Sequence, residues 1–103
     1  MKVREYVAQD GAIPFKKWFD GLNPQAAAKV SIALARIELG NTSNIKWFTG
    51  LGEYVMDWGP GYRIYLFQDG QNLIVLLGGG TKSRQQRDID RARKLLNEYR
   101  SRR

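Results

Sequence analysis

The apolar residues change their period along the chain, and this change constrains the fold more than any other feature. Over residues 24–40, apolar side chains recur at steps of three and four, the spacing of one helical face. Over residues 53–77 they alternate or form a continuous run, as they do in strands. The pair Asp69-Gly70 separates two of these segments and is typical of a hairpin turn. The pattern therefore predicts an α+β fold.

We expect a single domain over residues 1–103, because the chain shows no internal repeat or low-complexity linker and is too short for two separate cores. The predicted order of elements is strand, helix, helix, four strands and a final helix. The strands are expected at residues 3–7, 45–49, 53–58, 62–67 and 72–77, and the helices from Pro14, from Pro24 and over residues 84–99.

Two residue types are missing from the chain, and their absence excludes several kinds of chemistry. There is no cysteine and no histidine, so disulfides, thiolate nucleophiles, histidine bases and most zinc sites are excluded. We expect neither a metal nor a cofactor. No apolar run approaches the roughly 18–20 residues that cross a bilayer, and the first residues lack the apolar stretch of a signal peptide. We therefore expect a cytoplasmic protein without a membrane partner.

The positive charge is concentrated at the C-terminal end. The chain carries 17 basic and 10 acidic residues, a net charge of +7. Residues 82–103 hold nine of the basic and three of the acidic residues, so +6 of the excess lies there. A concentrated basic region favours a polyanionic partner such as nucleic acid, an anionic membrane surface or an acidic protein. A well-solvated helix is the alternative explanation.

The predicted last helix has two different faces. One face carries apolar residues at steps of three and four and is expected to meet the core: Ile89, Ala92, Leu96 and Tyr99. The other carries basic residues at the same steps and is the candidate RNA-binding surface: Arg84, Arg87, Arg91 and Lys94. Local pairing with Asp88 and Asp90 is the alternative role for these basic residues.

Three cations interrupt apolar or glycine-rich surroundings in the strand region. Arg63 is the only charge in the bulky strand at residues 62–67, and Lys46 stands beside two aromatic residues. Lys82 follows Gly78-Gly79-Gly80, a run that we expect to let the chain leave the strand and pass close to the sheet. A charge in an apolar strand is costly unless it reaches solvent or a partner. We therefore predict that Lys46, Arg63 and Lys82 are catalytic, with ordinary solvent-facing positions as the alternative.

Cations of this kind suit the metal-independent cleavage of RNA. The ribose 2′-hydroxyl attacks the adjacent phosphorus, negative charge grows on the phosphoryl oxygens, and the 5′-oxygen leaves. Arginine holds the phosphoryl charge because its planar fork matches phosphate, and lysine can also hold it. The residues alone do not decide which group accepts the 2′-proton.

Three segments of the chain stand out as a set. They are Gly59–Tyr65 with the sequence GPGYRIY, Leu76–Ser83 with LLGGGTKS, and Gln85–Ile89 with QQRDI. Together with Trp18 and Gly50–Glu53, they make the chain similar to the HigB-like addiction-module killer proteins of the RelE/ParE toxin superfamily. The similarity covers about residues 3–99.

The resemblance implies a RelE-like fold, in which a helical hairpin packs beside a twisted antiparallel sheet that a C-terminal helix follows. It implies a toxin of a type II toxin–antitoxin pair, an mRNA interferase that cleaves messenger RNA on the ribosome, inhibits translation and arrests growth. The implied partners are the ribosome, messenger RNA and a cognate antitoxin, expected to be a helix-turn-helix protein, and no small-molecule substrate is implied. Lys46, Arg63 and Lys82 match the superfamily's basic sheet positions best, and Arg84 is a weaker match.

Two other functions stay open. A ParE-like toxin shares the fold but binds DNA gyrase without nuclease activity, and a non-catalytic nucleic-acid-binding domain needs only the basic helix. The cations Lys46, Arg63 and Lys82 favour the nuclease, because a toxin that only binds does not need them to converge. Superfamily members that use a histidine base are no guide, because this chain has no histidine.

Overall fold

The computed structural model describes residues 1–102, and the order of its elements is the predicted one. The strands are β1 (Lys2–Glu5), β2 (Ile45–Phe48), β3 (Leu51–Met56), β4 (Tyr62–Asp69) and β5 (Leu73–Thr81). The helices are α1 (Pro14–Asp20), α2 (Pro24–Glu38) and α3 (Gln85–Ser101), with a 3₁₀ turn at Lys82–Arg84 before α3. The α+β class is therefore confirmed. None of the helices within residues 1–102 is both long enough and apolar enough to cross a membrane.

The five strands form one sheet in the order β1-β5-β4-β3-β2. β2, β3, β4 and β5 follow one another as antiparallel neighbours, as the turn at Asp69-Gly70 predicts for the last pair. β1 departs from this pattern, because it joins β5 in parallel and pairs Lys2 with Leu73 and Glu5 with Leu76. The sheet is thus mixed, and its one parallel pair lies at an edge.

Local chemistry sets the limits of the helical hairpin that α1 and α2 form. Pro14 and Pro24 stand in the first turns, where a helix leaves N–H groups without partners in any case. The Asn23 side chain caps α2 by accepting a hydrogen bond from the Ala26 N–H at 2.8 Å. Past the end of α2, Gly40 has a φ of 90°, a left-handed conformation that glycine adopts readily. Asn23 and Pro24 thus start α2 within the short connection that a hairpin requires, and Gly40 lies where the second helix of the hairpin has ended.

Helices cover both faces of the sheet, and each face has its own core. Along β4, Ile64 and Leu66 face the helical hairpin, whereas Tyr65 and Phe67 face α3. The hairpin core also contains Phe15, Val30, Ala33, Ile37, Ile45, Tyr54, Ile74 and Leu76. The α3 core also contains Tyr6, Ala8, Leu51, Val75, Leu77, Ala92 and Leu96. Burying a large apolar side chain contributes about 1.5–3 kcal/mol, so each helical layer is held to the sheet by several such contributions.

The three consecutive glycines do not let the chain leave the strand, so that part of the prediction was wrong. Gly78, Gly79 and Gly80 continue β5. A Cβ on Gly79 would lie 2.3 Å from Cε3 of the Trp18 ring, and one on Gly80 would lie 1.8 Å from Oδ2 of Asp88. These two glycines therefore serve close packing rather than a turn, because they let α1 and α3 approach the strand.

Candidate active site

The pairing of the strands places Lys46 and Arg63 on the same face of the sheet. Lys46 lies opposite Glu53 across β2 and β3, and Arg63 lies opposite Val55 across β3 and β4. Glu53 and Val55 are two residues apart on β3, so their side chains point to the same face. Tyr65, two residues after Arg63, belongs to the core beneath α3. Both cations are therefore on the face that α3 covers, with their strands about 10 Å apart.

The turn before β4 brings Lys82 next to Arg63. Gly61 has a φ of 74°, and its carbonyl accepts a hydrogen bond from Arg63 Nη1 at 2.9 Å. A Cβ on Gly61 would lie 3.2 Å from Lys82 Cβ and 3.3 Å from Arg63 Nη1. The Lys82 N–H also donates to the Pro60 carbonyl at 3.3 Å. Arg63 and Lys82 thus flank the same turn, although they are far apart in sequence.

Arg63 is not a lone cation, because Glu53 lies beside it. Arg63 Nε and Glu53 Oε2 are 3.4 Å apart, and the two side chains are only 11% and 3% exposed. Gln85, the first residue of α3, donates from Nε2 to the same Glu53 oxygen at 3.0 Å. Glu53 therefore offsets the charge of Arg63 and links the sheet to the start of α3. This partner explains how a charge persists in an apolar strand.

Lys46 and Lys82 differ from Arg63 in being exposed. Neither forms an ion pair with another residue in the described part of the chain, residues 1–102. Lys46 and Lys82 therefore present their ammonium groups to solvent, whereas the Arg63 side chain is largely buried and is held by Glu53 and Gly61.

Two further polar side chains lie buried on this face. Tyr65 is 1% exposed, and burial, followed by the nearby Glu53 carboxylate, raises the pKa of Tyr65 well above its usual range. Its hydroxyl therefore stays protonated at neutral pH and is no candidate for the base. Burial also raises the pKa of Asp88, against the opposing charges of Arg91 and two other arginines. Asp88 Oδ2 has no hydrogen-bond partner within residues 1–102.

The basic stripe predicted on the last helix is exposed along α3 and the turn before it. Its members are Arg84, Arg87, Arg91 and Lys94. The stripe begins two residues after Lys82, so it extends the cationic site along the helix. Arg93 lies outside it and donates to the carbonyls of Phe48 and Thr49, both at 3.1 Å. Arg93 therefore anchors the β2–β3 turn, and the stripe is the surface that a polyanion would meet.

Glu53 and Gln85 are parts of this site that the sequence analysis missed. Both stand in segments that carry the family resemblance, but their residue types gave no sign of a role. Arg63 itself indicated that such a partner exists, because an arginine in an apolar strand requires a carboxylate or solvent nearby. Strand register decides which carboxylate it meets, and register was not known from the sequence. Within residues 1–102, no group of three or more acidic side chains lies close enough together to hold a metal ion.

Comparison with known proteins gives one clear relative. No family model matches the chain. A protein of Haemophilus influenzae (strain ATCC 51907 / DSM 11121 / KW20 / Rd) is 39% identical over 88 residues, which are 84% of this chain and 89% of that protein. The chain belongs to the family of that protein. The relative is described only as an uncharacterized protein, so it contributes no activity, and the similarity to the HigB-like killer proteins stays a prediction from the residues.

Proposed function

We propose that the protein is the toxin of a type II toxin–antitoxin system, of the HigB-like kind in the RelE/ParE superfamily. Its activity is the metal-independent cleavage of messenger RNA on the ribosome, which inhibits translation and arrests growth. The observation that carries this proposal is the placement of Lys46, Arg63 and Lys82. The strand register puts Lys46 and Arg63 on one face, and Lys82 flanks the same turn as Arg63.

The cations have separate tasks in the proposed reaction. Lys82 and Arg63 hold the phosphoryl oxygens as negative charge grows on them, and Glu53 fixes the guanidinium of Arg63 in place. Lys46 stands two strands away and meets the RNA beside the scissile phosphate. The 2′-proton passes to a lysine in its neutral amine form, and the P–O5′ bond breaks as that lysine returns a proton to the leaving 5′-oxygen. Tyr65 is buried and protonated and the chain has no histidine, so neither supplies the base.

The exposed stripe of α3 binds the backbone of the same RNA. Arg84, Arg87, Arg91 and Lys94 lie along the helix that starts beside Lys82, so they extend the cationic surface from the reaction site. Binding of this kind is independent of base sequence and weakens as salt rises, with a slope of about 0.7 per phosphate neutralised on a single strand. The proposed partners are the ribosome, messenger RNA and a helix-turn-helix antitoxin, and the proposed location is the cytoplasm.

Induction of the protein in cells separates this proposal from its rivals. Messenger RNA 5′ ends are mapped after induction, and DNA supercoiling is measured in the same cultures. New 5′ ends inside translated frames, with supercoiling unchanged, support the nuclease. Lost supercoiling with intact messenger RNA supports a ParE-like gyrase toxin. Growth arrest with neither change points to a non-catalytic nucleic-acid-binding domain.

A further inference from the structure

β5 is longer than the strand that pairs with its outer edge. β1 pairs with β5 from Leu73 to Leu76, and the Tyr6 N–H then donates to the Leu76 carbonyl at 2.9 Å. On its other side, β5 stays paired with β4 as far as Thr81. Within residues 1–102, the segment Leu77–Thr81 therefore has a strand neighbour on one side only. Such an edge presents unpaired N–H and C=O groups that a further strand can bind.

This open edge lines a cleft of about 730 Å³ between the two helical layers. Lys17 and Trp18 of α1 form one wall, and Arg91 and Ala92 of α3 form the other. Neighbouring strands lie about 4.8 Å apart, so a strand added to β5 would occupy this cleft. The edge is thus open to an extended chain and is flanked by side chains that could recognise it.

Gly78 is a glycine that the packing of this chain does not require. Gly79 and Gly80 are explained by Trp18 and Asp88, which lie where their side chains would be. At Gly78, by contrast, an added Cβ would have nothing within 4 Å. Glycine weakens a strand interior and often marks a place where another backbone comes close. The space beside Gly78 opens into the cleft, so the close backbone is one that this chain does not supply.

The exposed charges of the cleft are positive. Lys17 and Arg91 stand on opposite walls and are both exposed. Asp88 also lines the cleft but is only 8% exposed, with its carboxylate against Gly80. An incoming segment with acidic side chains would therefore meet a lysine on one side and an arginine on the other.

We propose that an extended, acidic segment of a partner polypeptide binds in this cleft and adds a strand to β5 at Leu77–Thr81. Main-chain hydrogen bonds to the open edge hold the segment, and the positive charges of Lys17 and Arg91 favour a segment with acidic side chains. This inference does not depend on the proposed nuclease activity, because the sheet edge and Lys17 take no part in that activity. Arg91 is the one residue that the cleft shares with the basic stripe.

Two synthetic peptides test the proposal by NMR on the ¹⁵N-labelled full chain. The first is a hexapeptide of alternating glutamate and valine. The second has the same sequence with every backbone amide N-methylated, which keeps its charge and removes its main-chain hydrogen-bond donors from both edges. We expect the first peptide to shift the amide signals of residues 77–81 in a saturable way at low salt, with a Kd of about 1 mM or tighter. We expect the methylated peptide to bind at least about tenfold more weakly.

Variants of the protein sharpen the test. Gly78→Ala should fold, because no atom lies within 4 Å of the added Cβ, and should weaken binding by taking up space that the incoming backbone needs. The double variant Lys17→Glu, Arg91→Glu should weaken it through charge, whereas Lys2→Glu, an exposed lysine on β1, should not. The proposal is overturned if residues 77–81 show no saturable shift, or if the methylated peptide binds equally well. It is also overturned if a second copy of the chain or a short RNA occupies the edge instead.

Discussion

Arg63 and Glu53 form a buried ion pair across neighbouring strands, with Nε and Oε2 3.4 Å apart. The Gly61 carbonyl accepts a hydrogen bond from Nη1 of the same guanidinium at 2.9 Å. Gln85 donates from Nε2 to the same Glu53 oxygen at 3.0 Å. The guanidinium is therefore fixed from two directions before any ligand arrives, and such preorganisation is what stabilisation of developing charge requires.

Removing one member of this pair should destabilise the fold. We expect Arg63→Ala to lower the free energy of unfolding by about 3–5 kcal/mol, because it leaves the Glu53 carboxylate buried without its partner. Urea unfolding followed by circular dichroism measures this loss. The double variant Arg63→Met, Glu53→Leu is the control, and it should recover most of the stability because neither charge remains. An Arg63→Ala protein as stable as the parent would show that the pair contributes nothing.

The glycines of β5 should respond differently to the same substitution. Gly80→Ala places a methyl group 1.8 Å from Oδ2 of Asp88, and overpacking of this kind costs about 1–3 kcal/mol. Gly78→Ala adds the same methyl group where nothing lies within 4 Å, so it should cost nothing or stabilise by about 0.4–1 kcal/mol. Unfolding in urea compares the two variants. Equal losses at the two positions would contradict the close approach of α3 to Gly80.

The buried carboxyl group of Asp88 should make the free energy of unfolding fall as the pH rises. Burial raises its pKa above the ordinary value of 3.8, so the folded chain binds this proton more tightly than the unfolded chain. The stability that the protonated Asp88 contributes is fully present below the pKa of Asp88 in the unfolded chain. It is lost as the pH rises through the pKa of Asp88 in the folded chain. Asp88→Asn removes this dependence, so its gain in stability should be larger at pH 7 than at about pH 3.5. An equal gain at both pH values would show that Asp88 is not the group responsible.

The basic stripe should steer a polyanionic or acidic partner. We expect the double variant Arg87→Glu, Arg91→Glu to slow association with the proposed antitoxin and to flatten the salt dependence of that rate, because charges at a rim act mainly on the association rate. Stopped-flow mixing at several salt concentrations measures both effects. Lys2→Glu changes the net charge in the same direction at a distant strand and is the control. An association rate that the stripe variant leaves unchanged would place the antitoxin elsewhere.

Sequence predicted those parts of the fold that depend on neighbours along the chain. Asn23-Pro24 starts α2 as its cap chemistry requires, and Asp69-Gly70 turns between β4 and β5. Strand register was beyond the sequence, because the alternation of side chains fixes faces within a strand and not between strands. Whether Lys46 and Arg63 share a face therefore had to come from the structure.

The lack of information on long-range contacts also explains why the glycines of β5 were interpreted wrongly and why the Arg63–Glu53 ion pair was not predicted. Gly79 and Gly80 were interpreted as a flexible segment after the strand because glycine is common in turns. In the structure, Trp18 and Asp88, from two different helices, occupy the space where a side chain at these positions would lie. Arg63 read as a lone cation because its carboxylate lies on the neighbouring strand. In each case the contact that determines the role of the residue joins elements that are distant in sequence. A local sequence pattern therefore does not predict it.

The central claim is that this cationic face cleaves messenger RNA, and reconstitution with purified components tests it most directly. The protein is added to ribosomes that translate a defined messenger RNA, and the 5′ ends are mapped by primer extension. We predict cleavage within the translated frame, reduced about 10²–10³-fold by Lys82→Gln and unchanged by Lys2→Gln. Messenger RNA that stays intact with the folded parent protein, or cleavage that Lys82→Gln leaves unaltered, would contradict the account.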